Sequence, residues 1–279
     1  MTKQLVFTRY LYSKEQVYHS LIIALLEKAL DEALFWTYEL YFSRFQEELY
    51  TFIESIYDMF YKLSNPSGLK KCIEKFYNKW RKNPQQHHLF GSMIRNLLCR
   101  PYNVNQFMET FKDVKCWPYD PSIKQSKFIC INMNPEDIKI YETVKEESGR
   151  GPFVLRNACR FPIRKNIMNI FVCMVPDITE EYRMHWIYHC WNCPLWRERI
   201  EKYKGSINHE MLSVDFEDDD ADAFYDFYYY DPDEQSLEVQ ERSIGTGSEK
   251  QMTLKEFATL YGGTIITKKI KSKHKLNKL

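Results

Sequence analysis

The sequence predicts a mainly α protein, with antiparallel helical hairpins in its N-terminal part and a mixed, mostly helical C-terminal part. Glycine occurs 9 times in 279 residues, which leaves few positions for the tight turns of an all-β fold. Apolar side chains recur every three or four residues through the first hundred residues. Tyr, Phe and Trp make up 16% of the chain, so there is enough ring surface to fill a core between these helices.

The first predicted helix covers residues 14–29. Ser13 and Gln16 have the spacing of a capping box, in which hydroxyl and amide side chains satisfy the backbone groups that begin a helix. A second helix is predicted with Asp31 as its N-cap, and a third carries its apolar stripe over residues 49–63.

Two more helices are predicted to follow Asn65-Pro66 and Asn83-Pro84, because proline is tolerated in the first turn of a helix. The second of them stops before Arg100-Pro101. Since the connections are short, successive helices should be antiparallel neighbours. The sequence therefore predicts a helical-hairpin domain over residues 1–112.

Residues 113–209 are predicted to form a mixed α/β, mostly helical part. A helix is predicted over residues 134–146, and the apolar stretch 167–175 fits either a buried strand or a helix. Residues 177–191 and 194–203 are predicted to form a pair of aromatic helices, because each begins with the residues that favour a helix N-terminus.

Residues 210–251 form an acidic aromatic segment that ends in a polar linker. The stretch 210–241 contains 13 acidic residues and no Lys or Arg, which predicts that part of it is mobile and that it docks a basic groove. Pairing within the chain, or plain solubility, is the alternative role. The predicted partner-binding residues are Trp36, which lies off the main stripe of its helix, and Phe224, Tyr225, Tyr228, Tyr229 and Tyr230.

Residues 252–279 are predicted to contain a short helix and a Lys-rich tail. The last twelve residues hold six lysines without interleaved rings, a pattern that favours non-specific contact with phosphates. A nucleic-acid-binding accessory factor of replication or transcription is therefore an alternative function. Its binding residues would be Lys268, Lys269, Lys271, Lys273 and Lys275.

A zinc-dependent factor is a further alternative, because imidazole and thiolate groups cluster in one short stretch. Structural zinc sites usually join two separated ligand pairs, whereas these candidates fall within nine residues, so the main prediction is that no metal is bound. The candidate ligands are His185, His189, Cys190 and Cys193. The eight cysteines of the chain are spread widely, which predicts reduced, mostly buried thiols.

Composition and motifs narrow the function classes further. The net charge of +1 gives no overall attraction to nucleic acid, and no glycine-rich phosphate-binding motif is present. The longest apolar run, residues 21–26, is too short to span a membrane, and the first ten residues do not have the pattern of a secretory signal. These observations predict an intracellular protein that is not an enzyme and needs no cofactor.

Three stretches of the sequence resemble an uncharacterised helical family encoded by nucleocytoplasmic large DNA viruses. They are Phe7-Thr8-Arg9-Tyr10-Leu11-Tyr12, Glu32-Ala33-Leu34-Phe35-Trp36-Thr37-Tyr38-Glu39-Leu40-Tyr41, and His185-Trp186-Ile187-Tyr188 with Pro194-Leu195-Trp196. The resemblance covers about residues 7–203 and brings no catalytic residues with it. It implies a scaffold that binds protein partners, as a virion-associated or replication-factory component located in the host cytoplasm or the virion.

Overall fold

The computed structural model describes residues 4–65, 67–118, 129–142, 151–172, 176–245 and 250–266. The fold is mainly α, as the sequence predicts, and the described sheet is a two-stranded hairpin. Among these residues, no helix combines the length and the apolar character needed to cross a membrane.

Five α-helices form the N-terminal part. The first helix packs along the second and the fourth packs along the fifth, while the second also contacts the fifth and so joins the two pairs. A π-helical turn, Tyr57–Tyr61, extends the third helix. The five helices are α1 (Lys14–Leu26), α2 (Leu30–Phe42), α3 (Gln46–Ile56), α4 (Gly68–Lys82) and α5 (His88–Leu98).

The connections after α1 and α2 reverse the chain without glycine. The second residue after each helix, Lys28 and Arg44, has φ of 60° and 69°. This left-handed conformation lets the next amide bond back into the last helical turn, as Ala29 N does to Ala24 O at 2.9 Å. Lys28 Nζ also donates to the backbone oxygen of Arg100 at 2.5 Å, and desolvation lowers the pKa of Lys28 to about 8.

The central part of the chain consists of short helices. The side chain of Asn134 accepts a hydrogen bond from Glu136 N at 3.2 Å, so the predicted helix start is confirmed there, but the helix is 3₁₀ and ends at Tyr141. Residues 143–146 of that prediction lie outside the described residues, as do residues 173–175 of the ambiguous stretch. The elements are α6 (Asn105–Lys112), the 3₁₀ helix Pro135–Tyr141, α7 (Gly151–Ala158) and the 3₁₀ helix Lys165–Ile170.

A disulfide joins Cys72 on α4 to Cys130, with 6.2 Å between the Cα atoms. The prediction that the cysteines are reduced is therefore wrong for this pair, because folding brings two thiols that are 58 residues apart into contact. The side chain of Asn96 pairs with both backbone groups of Ile131, at 3.0 Å to the amide and 2.7 Å to the carbonyl. These bonds hold the segment after residue 129 against α5.

The C-terminal part adds six α-helices and the β-hairpin. The predicted helix over residues 177–191 breaks at His185, whose φ of −121° and ψ of 19° are not helical. The prediction of a helix after Pro194 is confirmed. The elements are α8 (Thr179–Met184), α9 (Trp186–Cys190), α10 (Pro194–Lys202), β1 (Ser206–Asn208), β2 (Ser213–Asp215), α11 (Asp218–Tyr228), α12 (Leu237–Ile244) and α13 (Leu254–Leu260).

The acidic aromatic segment is folded rather than mobile over its described length. Its rings pack inward from α11, and the residues that follow α11 contact α7. A Cβ atom at Gly151 would lie 2.2 Å from the backbone oxygen of Tyr229, so only glycine allows this approach. Gln235 Nε2 donates to the backbone oxygen of Pro152 at 2.7 Å. The predicted linker is also partly helical, since α12 extends to Ile244.

Among the described residues, buried side chains from the N-terminal, central and C-terminal parts form one core cluster that runs from Phe7 to Tyr261. Packing and hydrogen bonds cross the composition boundaries near residues 112 and 209. Trp196 Nε1, for example, donates to the backbone oxygen of Thr8 at 3.1 Å. The helices of the C-terminal part thus complete the core that α1 and α2 begin.

Candidate functional site

A cavity of about 510 Å³ lies where residues 4–6 pass between the start of α1 and the α8–α9 pair. This volume falls in the range of about 300–1,000 Å³ that ligand sites occupy. Most of the wall is apolar. Its apolar side chains are Leu5, Val6, Tyr18, Met168, Val172, Pro176 and Ile178.

A tight reversal of the chain places residues 4–6 at the cavity. The reversal runs from Phe7 to Ser13, which pair as an antiparallel bridge, and Leu11 within it has φ of 59°. Lys14 N donates to Val6 O at 2.9 Å, so the segment that precedes the reversal lies beside the first turn of α1. One wall of the cavity is therefore built from backbone fixed by hydrogen bonds.

A buried ion pair ties this reversal to α2. Arg9 and Glu39 are 2% and 0% exposed, and Arg9 Nε lies 2.9 Å from Glu39 Oε2. The same carboxylate accepts hydrogen bonds from Thr8 Oγ1 at 2.6 Å and from Tyr10 N at 3.0 Å. Arg9 Nη2 donates to the backbone oxygen of Tyr141 at 2.8 Å. These bonds offset the cost of burying the two charges.

Gln16 places a buried acceptor without a donor in the wall of the cavity. The predicted capping box is not formed, because the Ser13 side chain makes no cap hydrogen bond. Gln16 is 5% exposed, and its Oε1 atom, which is itself buried, accepts no hydrogen bond from the described residues. A buried polar group without a partner costs about 1–3 kcal/mol, so a rotation of the amide that brought Oε1 to a donor of a ligand in the cavity would recover that free energy.

His189 lies across the cavity on α9. Its ring meets the Phe7 ring edge-on, with 5.8 Å between centroids, and neither ring nitrogen has a partner at hydrogen-bond geometry. Desolvation lowers the pKa of His189, and smaller effects from the Leu5 backbone and the charge of Glu181 oppose that shift. The imidazole is therefore neutral at neutral pH.

Carboxylates outnumber cations among the described residues that line the cavity. Lys14 is the permanently charged cation in this set, and its Nζ is paired with Glu48 Oε2 at 2.7 Å. Asp177 accepts hydrogen bonds from the amide and hydroxyl of Thr179, which lowers its pKa. The lining carboxylates are Glu15, Glu48, Asp177 and Glu181. The formal charge of the described lining residues is therefore net negative.

We expect the free energy of unfolding to fall as the pH is lowered from about 7 to about 5. His189, His87 and His88 have pKa values lowered by burial, so the unfolded chain takes up protons first, near pH ~6.5, and stability decreases below that pH. Urea unfolding at both pH values measures the loss. His189→Gln should reduce this loss and His209→Gln, at an exposed site, should not. An unchanged loss in His189→Gln would contradict the prediction.

The four residues of the zinc alternative do not converge on one point. His185 bonds to a backbone oxygen of the β-hairpin, and His189 faces the cavity. Cys193 Sγ donates to the backbone oxygen of Ser43 at 3.5 Å, and burial raises the pKa of both Cys190 and Cys193. Nowhere in the described part of the chain are three His, Cys, Asp or Glu side chains placed to hold a metal ion. The four candidate ligands are therefore two thiols buried in the core and two imidazoles that lie in different surroundings.

Most of the rings predicted to bind a partner are buried in the core of the chain itself. Trp36 is 0% exposed, and Tyr230 stacks on Trp186 with 6.0 Å between centroids. Tyr225 is partly buried, whereas Tyr229 is 45% exposed. The prediction is therefore wrong for the rings whose exposure is 7% or less, which are Trp36, Phe224, Tyr228 and Tyr230.

The lysines of the nucleic-acid alternative lie outside the described residues, since the described part ends at residue 266. A nucleophilic cysteine at the centre of the fold is disfavoured by its surroundings. Cys159 is 1% exposed and contacts Ser243 Oγ at 3.5 Å, and burial raises the pKa of its thiol to about 12. A protonated, inaccessible thiol does not attack a substrate.

Apart from His189, which the zinc alternative names, the sequence did not indicate the cavity residues as a site, because they come from stretches separated by about 150 residues. One pattern in the sequence does point to a residue of the cavity. The spacing of Ser13 and Gln16 predicts a capping box, and because this cap is not formed, the amide oxygen of Gln16 has no donor among the described residues. Comparisons of the chain with protein-family models, with curated proteins and with solved structures find no match. Fold and cavity thus define a mainly α protein with a ligand-sized cavity of apolar wall and acidic lining.

Proposed function

We propose that this protein is a non-enzymatic interaction protein that receives an apolar group carrying a hydrogen-bond donor in the cavity beside α1. The observation that carries the proposal is the ligand-sized cavity with its apolar wall, in which Gln16 holds an acceptor that none of the described residues satisfies. A partner that fills the cavity removes apolar surface from water, and rotation of the Gln16 amide lets its oxygen accept a hydrogen bond from that partner. Both effects favour binding.

The surroundings of the cavity support binding more than catalysis. The thiols of Cys159, Cys190 and Cys193 are buried in the core, away from the cavity lining. Within this proposal the protein has the assembly role that the sequence resemblance implies, which is that of an intracellular scaffold component of a large DNA virus. The nucleic-acid alternative rests on lysines beyond the described residues and stays a prediction from sequence.

A fragment screen by NMR tests the proposal. Small apolar molecules with an N–H or O–H group should perturb the side-chain amide signal of Gln16 and the methyl signal of Met168 at millimolar concentration. Gln16→Leu keeps the size of the side chain and removes the acceptor. We expect this variant to fold and to bind the same fragments about five- to tenfold more weakly, because a lost buried hydrogen bond is worth about 1–1.5 kcal/mol.

Gln85→Leu is the matched control, because Gln85 is exposed in the connection between α4 and α5 and does not line the cavity. It should leave fragment binding unchanged. Two results would contradict the proposal: fragments that bind elsewhere on the protein but not at the cavity, and equal loss of binding in the two variants.

A further inference from the structure

Helix α4 exposes a strongly basic face. Its 15 residues contain six cations and a single acid, Glu74, although the whole chain has a net charge of only +1. All six cationic side chains are exposed, and none of them pairs with a carboxylate within the part of the chain that the structure describes. The six are Lys70, Lys71, Lys75, Lys79, Arg81 and Lys82.

Four of these lysines form one row along the helix. The row consists of Lys71, Lys75, Lys79 and Lys82, and side chains three or four positions apart lie on the same side of a helix. From its first to its last lysine the helix rises about 17 Å. One strand of a DNA duplex carries a phosphate about every 3.4 Å along its axis, so the row matches the length of about five phosphates.

The neighbouring carboxylates lie on the other edge of α4. Burial lowers the pKa of His88 on α5, and the charge of Lys79 adds to that shift, so this end of the row borders another basic group. Glu74 is half-buried on the opposite edge, toward α3. On that same edge Glu47 accepts a hydrogen bond from the hydroxyl of Tyr77. The row of lysines is therefore set apart from these carboxylates.

This arrangement of charge works against the stability of α4 itself. Like charges four residues apart on a helix repel each other by about 0.2–0.5 kcal/mol, and the row contains two such pairs. Lys70 and Lys71 also lie in the first turn, which holds no acid although the helix dipole favours acids there. Helix stability therefore does not account for the row, whereas an anionic partner would remove the repulsion.

The exposed face of α4 suits a duplex better than a membrane or a single strand. A helix that lies on a membrane inserts apolar side chains into it, but the apolar side of α4, which includes Leu69 and Ile73, is buried in the core. Single strands are held by exposed rings that stack on bases. Phe76 and Trp80 are buried, and Tyr77 is stacked on a ring of α3. Duplex RNA is recognised through its 2′-hydroxyls as well as its phosphates, so a surface of lysines favours DNA.

We propose that the row of lysines on α4 binds the phosphate backbone of double-stranded DNA without reading its sequence. Lysine is a point charge that suits phosphates and carries no information about bases. The described residues that line the cavity do not belong to α4, so this surface is separate from the cavity and does not depend on the proposed function. It is also separate from the lysines of the C-terminal tail.

Fluorescence anisotropy with a short labelled DNA duplex tests the proposal on the full chain. Binding at low salt should weaken steeply as salt is added, because each neutralised phosphate contributes about −0.9 to the slope of log K against log salt concentration. The fourfold variant Lys71→Gln, Lys75→Gln, Lys79→Gln, Lys82→Gln should bind at least about tenfold more weakly and reduce the size of the slope by about 3–4. Glutamine keeps a helix propensity close to that of lysine, and circular dichroism checks that the variant folds.

The matched control removes the same charge from four exposed lysines outside α4. Its substitutions are Lys115→Gln, Lys139→Gln, Lys202→Gln and Lys255→Gln. We expect its affinity and salt slope to stay close to those of the wild type. Equal weakening in the two fourfold variants would show that overall charge and not α4 governs binding. Unchanged binding of the α4 variant would place the DNA contact elsewhere on the chain. Either result overturns the proposal.

Other polyanions serve as competitors in the same assay. A second DNA duplex of unrelated sequence should bind as tightly as the first. Poly-glutamate, vesicles that contain phosphatidylserine, the single strand and an RNA duplex of the same sequence should each bind more weakly. Equal or tighter binding of any of these four would contradict the assignment to double-stranded DNA. If the DNA duplex does not bind at low salt, the inference fails and the cavity proposal is unaffected.

Discussion

Glu39→Ala is expected to lower the free energy of unfolding by about 3–5 kcal/mol, because it leaves the guanidinium of Arg9 buried without its carboxylate. The substitution also removes the acceptor for Thr8 Oγ1 and Tyr10 N, which both bond to the same Glu39 oxygen. Chemical denaturation followed by circular dichroism at neutral pH measures the change. Glu39→Gln keeps the shape of the side chain without its charge. If Glu39→Ala does not fold, the helical circular dichroism signal of Glu39→Gln is compared with that of the wild type instead.

Glu198→Ala is the control for this prediction, since Glu198 pairs with Arg44 while 62% of its side chain is exposed. An exposed pair contributes about 0–1 kcal/mol, so this variant should stay close to the wild type. Replacing both buried charges, with Arg9→Met and Glu39→Leu, should cost less than Glu39→Ala alone, because no charge is then left without a partner. A cost for Glu39→Ala that is no larger than that of Glu198→Ala would show that the pair does not anchor the fold.

Trp36→Ala is expected to cost about 3–5 kcal/mol, because the side chain is fully buried and its removal leaves a large cavity. The indole packs edge-on against Tyr12, with 5.0 Å between ring centroids, and its Nε1 donates to Glu32 Oε1 at 3.1 Å. Thermal and urea unfolding measure the loss. Trp36→Phe should recover a large part of it, since most of the ring volume returns.

Trp117→Ala is the matched substitution at a tryptophan that is 61% exposed, and it should change stability by about 0.5 kcal/mol or less. The comparison separates a core tryptophan from one that contacts a partner. If Trp36→Ala unfolded no more easily than Trp117→Ala, the burial of Trp36 would be contradicted and its predicted role in partner binding would return.

The elements that the sequence predicts well are the ones whose information is local. Apolar stripes at helical spacing place α1 to α5, and Asn134 marks the start of its short helix because its side chain caps the chain there. Two turns could not be predicted in the same way. Lys28 and Arg44 adopt the left-handed conformation that glycine favours, and partners distant in sequence, such as the Arg100 carbonyl and Glu198, hold their side chains.

The prediction that part of the acidic aromatic segment is mobile was wrong for its described residues, because composition gives the charge of a segment but not the direction in which its side chains point. Its carboxylates suggested a solvated segment, yet Phe224 and Tyr230 are 0% exposed and complete the core around Trp196. The cavity could not be predicted for a related reason. Its wall is set by where residues 4–6 meet α8 and α9, a contact that no local pattern of residues specifies.

The reversal at residues 7–13 has a consequence for the order of folding during synthesis. Its native partners lie far along the chain: Arg9 bonds to Tyr141, Tyr12 Oη to the carbonyl of Phe161, and Thr8 to the indole of Trp196. Such contacts raise the contact order and slow folding. The ribosome must therefore deliver roughly two hundred residues before the first dozen can reach their native state, although α1 to α5 are free to form much earlier.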